Sequence, residues 1–188
     1  VPSFESKRDG RDVTIDTYIA WTPNLMHNLI REAAITFNDL VAARFDNWHL
    51  DFWSAFTTPA GKQVGYLNMI GMTDDLITPR KVLPSKTLNL PLPFFYSRDS
   101  GVALPTAALP YNDMRLQFSF RTYTELLVAY DLITYQDTNE SLVISRVPVV
   151  ADFGTTLPEI SNVQVWANYA LVSNDERKRM ACAPRDIL

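Results

Sequence analysis

The chain of 188 residues carries 17 Lys and Arg against 21 Asp and Glu, a formal net charge of −4, and its basic residues are scattered, which excludes a clustered nucleic-acid-binding face. A hydrophobic content of 47% with 12% aromatic residues is enough for a folded core and excludes a disordered chain. Its single cysteine, Cys182, excludes an internal disulfide, and no apolar run approaches the roughly 18 residues of a membrane helix.

The first third of the chain predicts short strands and helices in alternation. They are a strand at Asp12–Thr22, a helical turn at Pro23–Ile30, strands at Glu32–Phe37 and Leu40–Phe45, and a helix from Asn47 to about Phe56. The turn signal Asn38-Asp39 predicts that the middle two strands form a hairpin. In the helix, Trp48, Phe52 and Phe56 recur every four residues and give it one apolar face.

The middle of the chain combines a long connection with two expected strands. Residues 61–84 predict a long loop at the rim of the fold, because glycines and prolines bracket any helix around Tyr66 closely. The dense apolar run Leu88–Tyr96 predicts a buried strand. Residues Met114–Arg121 alternate strictly between apolar and polar side chains, which predicts a strand with one core face.

The last third predicts two further strands and a helix. Tyr123–Ile133 is apolar enough for either a helix or a strand, and a long loop region around 136–161 contains a β segment at Leu142–Val150. Val163–Leu171 alternates clearly as a strand, and Ser173 with Glu176 has the spacing of a capping box before a helix. Nine positions are expected in the core: Phe94, Phe95, Met114, Leu116, Phe118, Phe120, Val163, Val165 and Tyr169.

Trp166 differs from these core candidates, because it shares a strand face with the polar Gln164 and Asn168. An aromatic side chain on a polar face suggests a subunit contact or cover by a neighbouring loop. The many short strands with Pro and Gly between them predict an antiparallel all-β fold with short helices in its connections. Periodicity alone does not distinguish a sandwich from a barrel.

The residue types needed for catalysis or metal binding are scarce. Only His27 and His49 are present, too few for the histidine cluster of a cupin-like metal site, and local hydrogen bonds explain them better. Asp74 and Asp75 are adjacent rather than converging from separate positions, as a glycosidase pair usually does. The segment Ser97–Ser100 reads as a turn in which Asp99 bonds local backbone. We therefore expect no enzyme activity, cofactor or metal.

Long ungapped segments of the chain resemble one known family. They are Leu88–Arg121, Asn24–Glu32, Ile35–Asn47, His49–Phe56, Val163–Ala170, Asn174–Met180 and Pro184–Leu188. These segments resemble the major capsid proteins of large icosahedral double-stranded DNA viruses, in particular the iridovirus branch.

The resemblance implies two jelly rolls in tandem, and the 188 residues would form a partial first jelly roll of a longer protein. It further implies homotrimeric, pseudo-hexagonal capsomers in the outer shell of a virion, assembled in the host cytoplasm. Minor capsid proteins would be partners, with no direct nucleic-acid contact and no membrane span. Two other classes remain open on the residues alone: a carbohydrate-binding jelly-roll module, for which the tryptophans could stack on sugars, and a jelly-roll hydrolase.

Overall fold

A computed structural model describes residues 4–8, 11–109, 113–136, 142–149 and 160–183. They form two compact units. One is built from the described parts of Val1–Arg31, Asn47–Leu90 and Phe120–Pro158, and the other from those of Glu32–Asp46, Pro91–Ser119 and Glu159–Leu188. Within the described ranges, no helix combines the length and the apolarity needed to span a bilayer.

The described residues contain strands, α-helices and three single-turn 3-10 helices. The strands are β1 (Phe4–Arg8), β2 (Arg11–Trp21), β3 (Ile30–Phe37), β4 (Leu40–Phe45), β5 (Met114–Phe120), β6 (Leu127–Gln136) and β7 (Leu142–Val149). The α-helices are α1 (Leu25–Leu29), α2 (Asn47–Thr57), α3 (Ala60–Ile70), α4 (Asp74–Ile77), α5 (Tyr123–Leu126) and α6 (Asn174–Cys182). The 3-10 turns are Phe95–Ser97, Ser100–Val102 and Thr106–Ala108. The fold is therefore sheet-rich with short helices.

The first sheet has the strand order β1-β2-β6-β7, and every neighbouring pair in it is antiparallel. Its centre pairs β2 with β6, where the rings of Tyr18 and Tyr130 stack at 5.9 Å and Thr17 Oγ1 donates to Asp131 Oδ1 at 2.7 Å. The β segment predicted at Leu142–Val150 is confirmed as β7 over Leu142–Val149, and Val150 lies outside the described residues. In β7, Pro148 lies on an edge strand, where a missing N–H donor is tolerated.

The second sheet has the order β4-β3-β5. The predicted hairpin between β3 and β4 is confirmed, and its turn residues Asn38 and Asp39 both have a positive φ, 49° and 65°. Asn and Asp adopt this left-handed conformation more readily than other non-glycine residues, and two such residues form the tight turn that suits a twisted hairpin. The turn chemistry in the sequence thus determines the hairpin locally.

The sequence left open whether Tyr123–Ile133 is a helix or a strand. The segment begins as the short helix α5 and continues directly as the strand β6. Thr122 and Glu125 form a capping box at the start of α5, with the Thr122 N–H donating to Glu125 Oε2 at 3.0 Å. This backbone hydrogen bond is the main cause that lowers the pKa of Glu125. After one turn, the β-branched and aromatic residues of β6 join the first sheet.

Residues 61–84 correct the expectation of a long rim loop, because α3 and α4 occupy much of this range. The glycines that argued against a helix act differently from one another. Gly65 lies within α3 with open space around its Cα, and Gly71 ends α3 with φ of 92°. A Cβ at position 71 would approach Leu88 Cδ1 to 2.9 Å and Leu25 Cβ to 3.3 Å.

These two glycines provide a matched pair of stability predictions. Gly71→Ala is expected to destabilise the protein by about 1 to 3 kcal/mol, since a left-handed alanine and a crowded Cβ both cost free energy. Gly65→Ala is expected to stabilise it by about 0.5 to 1 kcal/mol through helix propensity alone. Urea unfolding of both variants measures the two changes, and a destabilising Gly65→Ala would contradict the open surroundings described for that position.

Two predicted strands are absent from the described structure. Residues 88–94 have neither helix nor strand, because Pro91 and Pro93 remove two backbone donors from the apolar run. Residues 160–172 likewise have neither, although the alternation of Val163–Leu171 is typical of a strand. Alternation specifies which side chains share a face, but a ladder also needs a neighbouring strand, and none among the described residues pairs with this segment.

The nine expected core positions divide according to these elements. Phe94 is buried, with 1% of its surface exposed, and Phe95 is half-buried. On β5, Leu116 and Phe118 are half-buried, whereas Met114 and Phe120 are exposed, so the face is only partly covered in these 188 residues. The expected core placement is wrong for the last three candidates, which are exposed because no described strand covers them. They are Val163, Val165 and Tyr169.

Candidate functional site and exposed surfaces

Among the residues whose burial the structure describes, the most buried ionisable side chain is His27, and both of its ring nitrogens have partners. His27 is 1% exposed; its Nδ1 lies 2.5 Å from Asp51 Oδ1, and its Nε2 lies 2.8 Å from Tyr66 Oη. Because a carboxylate can only accept, Nδ1–H donates to Asp51, and Nε2 shares the second hydrogen bond with the tyrosine hydroxyl. The network joins α1, α2 and α3. The sequence analysis expected local partners for His27, but its partners lie 24 and 39 residues away in the sequence.

Tyr66 is part of the same polar network. Burial is the largest cause that raises the pKa of its phenol, a hydrogen bond with Ser54 lowers it, and the negative charge of Asp51 raises it further. The phenol therefore keeps its proton over the ordinary pH range. An Asp–His–Tyr chain of this kind fixes three helices against one another.

The other candidate chemical groups have ordinary structural surroundings. His49 stacks on Trp53 with ring centroids 6.0 Å apart, and Asp75 pairs with Lys86 Nζ at 2.9 Å on the surface. Hydrogen bonds from Thr73 and then Lys86 lower the pKa of Asp75. The predicted turn is confirmed, because the Gly101 N–H donates to Asp99 Oδ2 at 3.3 Å. Among the residues that the structure describes, no group of three His, Cys, Asp or Glu side chains could hold a metal ion.

Arg121 has a structural role that the sequence did not reveal. Its guanidinium donates through Nη1 to the carbonyl of Asn28 at 2.8 Å and through Nη2 to Asn47 Oδ1 at 3.1 Å. Its backbone N–H donates to the carbonyl of Leu29 at 2.9 Å. Alternation alone places Arg121 on a polar strand face, and the sequence carries no signal for partners more than 70 residues away.

Helix α2 has an aromatic face that points outward. Trp48, Phe52 and Phe56 are 73%, 56% and 76% exposed. The rings of Phe52 and Phe56 lie 4.7 Å apart and pack on each other. We call these three residues the aromatic ridge of α2. The predicted helix is confirmed. Its aromatic face, however, is not packed against the described part of the chain in the way that the apolar face of a core helix is.

The segment 160–172 is a second apolar surface. Exposed apolar side chains occur at both odd and even positions of the segment. They are Ile160, Val163, Val165, Trp166, Tyr169 and Leu171. Trp166 is 86% exposed, so it has little cover from a neighbouring loop in this chain. Exposed apolar surface of this extent is unusual for a monomer and typical of a protein that contacts another surface.

Comparison with known sequences shows to which family the chain is related. A family model described as "Major capsid protein N-terminus" matches residues 6–172. The major capsid protein of Wiseana iridescent virus is 60% identical over 182 residues, covering 90% of this chain and 36% of the relative. That of Lymphocystis disease virus 1 is 46% identical over 191 residues, covering 100% of this chain and 40% of the relative. The chain thus spans less than half of the length of these relatives.

One solved structure shares the fold despite low sequence identity. The chain matches the crystal structure of PBCV-1 VP54 fitted into a cryo-EM reconstruction of the virophage Sputnik. The TM-score is 0.55 at 15% identity, and the match covers 97% of this chain and 41% of that chain. At this identity the likeness concerns the fold alone.

Proposed function

Because the chain belongs to the viral major capsid protein family, through that family's N-terminal part, we propose that the full-length protein is the subunit of an icosahedral capsid shell. It assembles as homotrimeric, pseudo-hexagonal capsomers that tile the outer surface of the virion. The observation that carries the proposal is the family match over residues 6–172. The two exposed apolar surfaces support it, because a shell subunit buries such surfaces only on assembly.

In this proposal the 188 residues form part of the first of two jelly rolls. Antiparallel pairing in the first sheet and the short helices between strands support a jelly roll, as does the shared fold with PBCV-1 VP54. The mechanism is geometric, since rigid sheets present fixed sides to neighbouring capsomers and helical connections contact adjacent subunits. It needs no cofactor and no catalytic residue.

The remaining partners follow from the same role. Assembly takes place in the host cytoplasm, and minor capsid proteins bind between capsomers. The net charge of −4 and the scattered basic residues support a shell without direct contact to nucleic acid. The competing class is a carbohydrate-binding module, in which exposed aromatic rings such as Trp48 would stack on sugars.

The mass of the full-length protein in solution tests this function. We expect light scattering coupled to size exclusion to give three times the subunit mass at micromolar concentration, and negative-stain images to show particles with a pseudo-hexagonal outline. The same preparation is passed over immobilised glycans. A monomer that binds a glycan, with binding lost in a Trp48→Ala variant, would replace the capsid proposal with the carbohydrate-binding one.

A further inference from the structure

We propose that the aromatic ridge of α2 is a contact between two copies of this protein within its assembled state. The inference rests on the proposed function and deepens it, because it assigns one surface to the contact between subunits. Family membership does not specify which surface of the subunit makes that contact. The ridge consists of Trp48, Phe52 and Phe56.

The first argument is that α2 has polar groups on its inward side and aromatic rings on its outward side, the opposite of an ordinary surface helix. Its inward positions carry polar groups that bond within the unit: Asn47 accepts from Arg121, and Asp51 accepts from His27. Leu50 is the buried apolar residue on this side. Its outward positions i, i+4 and i+8 are aromatic instead. An exposed stripe of large aromatic residues has no benefit for the stability of the unit that contains α2, so its free-energy gain requires a covering surface.

The second argument concerns size and order. Three largely exposed aromatic side chains amount to roughly 400 Å² of apolar surface, about half of what one partner contributes to a standard interface. Two helical turns separate Trp48 from Phe56, roughly 12 Å along the axis. Because Phe52 and Phe56 already pack at 4.7 Å, little side-chain entropy is lost on binding. Such preorganised aromatic clusters form the energetic centre of protein interfaces.

The third argument selects the partner. The sequence of α2, Asn47–Thr57, contains no Lys or Arg, and its one acidic residue, Asp51, bonds to His27. A lipid surface or a nucleic acid favours a helix with basic residues beside its apolar face, which α2 lacks. A charged protein partner would need complementary charges, which are also missing from the ridge. A second copy of this protein needs no charge opposite the ridge, and a shell supplies many copies of one chain.

The test uses the full-length protein with the double variant Phe52→Gln/Phe56→Gln. Both positions are exposed in a helix that glutamine favours, so the subunit itself is expected to keep its cooperative unfolding transition. The matched control is Leu40→Gln/Val41→Gln, which removes two exposed apolar side chains from the edge strand β4. Sedimentation velocity over a dilution series gives the association constant of each protein.

We expect the double variant to weaken association at least tenfold, and the control to change it less than threefold. Unchanged association of the double variant, or equal weakening by the control, would overturn the inference while leaving the capsid function intact. An unmodified full-length protein that stays monomeric would overturn both. Binding of neutral vesicles that depends on Phe52 and Phe56 would assign the ridge to a lipid surface instead.

Discussion

Phe94→Ala is expected to lower the free energy of unfolding by about 3 to 5 kcal/mol, because it leaves a cavity at a fully buried position. The Phe94 ring packs against Phe45 with centroids 4.9 Å apart and stacks on Tyr96 at 5.5 Å. Both contacts lie within the second unit, and the contact with Phe45 connects Phe94 to the β3–β4 hairpin. Chemical unfolding of the full-length protein, monitored by far-UV circular dichroism, measures the loss.

The matched control for this substitution is Phe118→Ala. Phe118 is half-buried on β5, so the same truncation removes less buried surface and should cost roughly half as much or less. The sequence places both residues among the expected core positions and so predicts a large cost at each of them. Equal losses for the two variants would show that β5 is covered in the full-length protein as completely as Phe94 is.

The second large effect is expected at His27. His27→Ala removes the partner of Asp51 and of Tyr66 together and leaves a void between three helices, at a cost of about 2 to 4 kcal/mol. Tyr66→Phe removes one hydroxyl and should cost about 1 kcal/mol. Once His27 is replaced, the Tyr66 hydroxyl has lost this partner, so removing it costs less than in the unmodified protein. The double variant His27→Ala/Tyr66→Phe is therefore expected to lose less free energy of unfolding than the sum of the two single losses. Urea midpoints of the three variants give the coupling energy, and full additivity would mean that the three side chains do not act as a unit.

Local signals in the sequence were sufficient wherever the responsible partners lie within a few residues. Asn38-Asp39 predicts its hairpin, and Ser173 with Glu176 predicts the start of α6, whose capping box is confirmed. Each of these elements satisfies its own backbone groups through neighbours in sequence. The helix α2 was predicted for the same reason, with its apolar spacing read correctly.

Elements that depend on distant partners were not predictable in the same way. Residues 163–171 have the alternation of a strand, but pairing needs a neighbour that alternation does not specify. His27 was expected to have local partners, whereas Asp51 and Tyr66 come from two other helices. The exposure of the aromatic ridge was not predictable either. The spacing of Trp48, Phe52 and Phe56 shows that they share a helix face but does not show whether that face is covered. Each of these features is determined by tertiary packing or by assembly.

The pairing of β2 with β6 has a consequence for how the chain folds during synthesis. Thr17 bonds to Asp131 across a sequence separation of 114 residues, so β2 leaves the ribosome long before its neighbour exists. At roughly 5 to 20 residues per second, β2 waits on the order of 6 to 25 s for β6, whereas a hairpin such as β3–β4 closes within about 10 μs. The first sheet therefore completes late, after the β3–β4 hairpin of the second sheet has formed, and the unpaired side of β2 is the surface that a nascent-chain chaperone would have to shield.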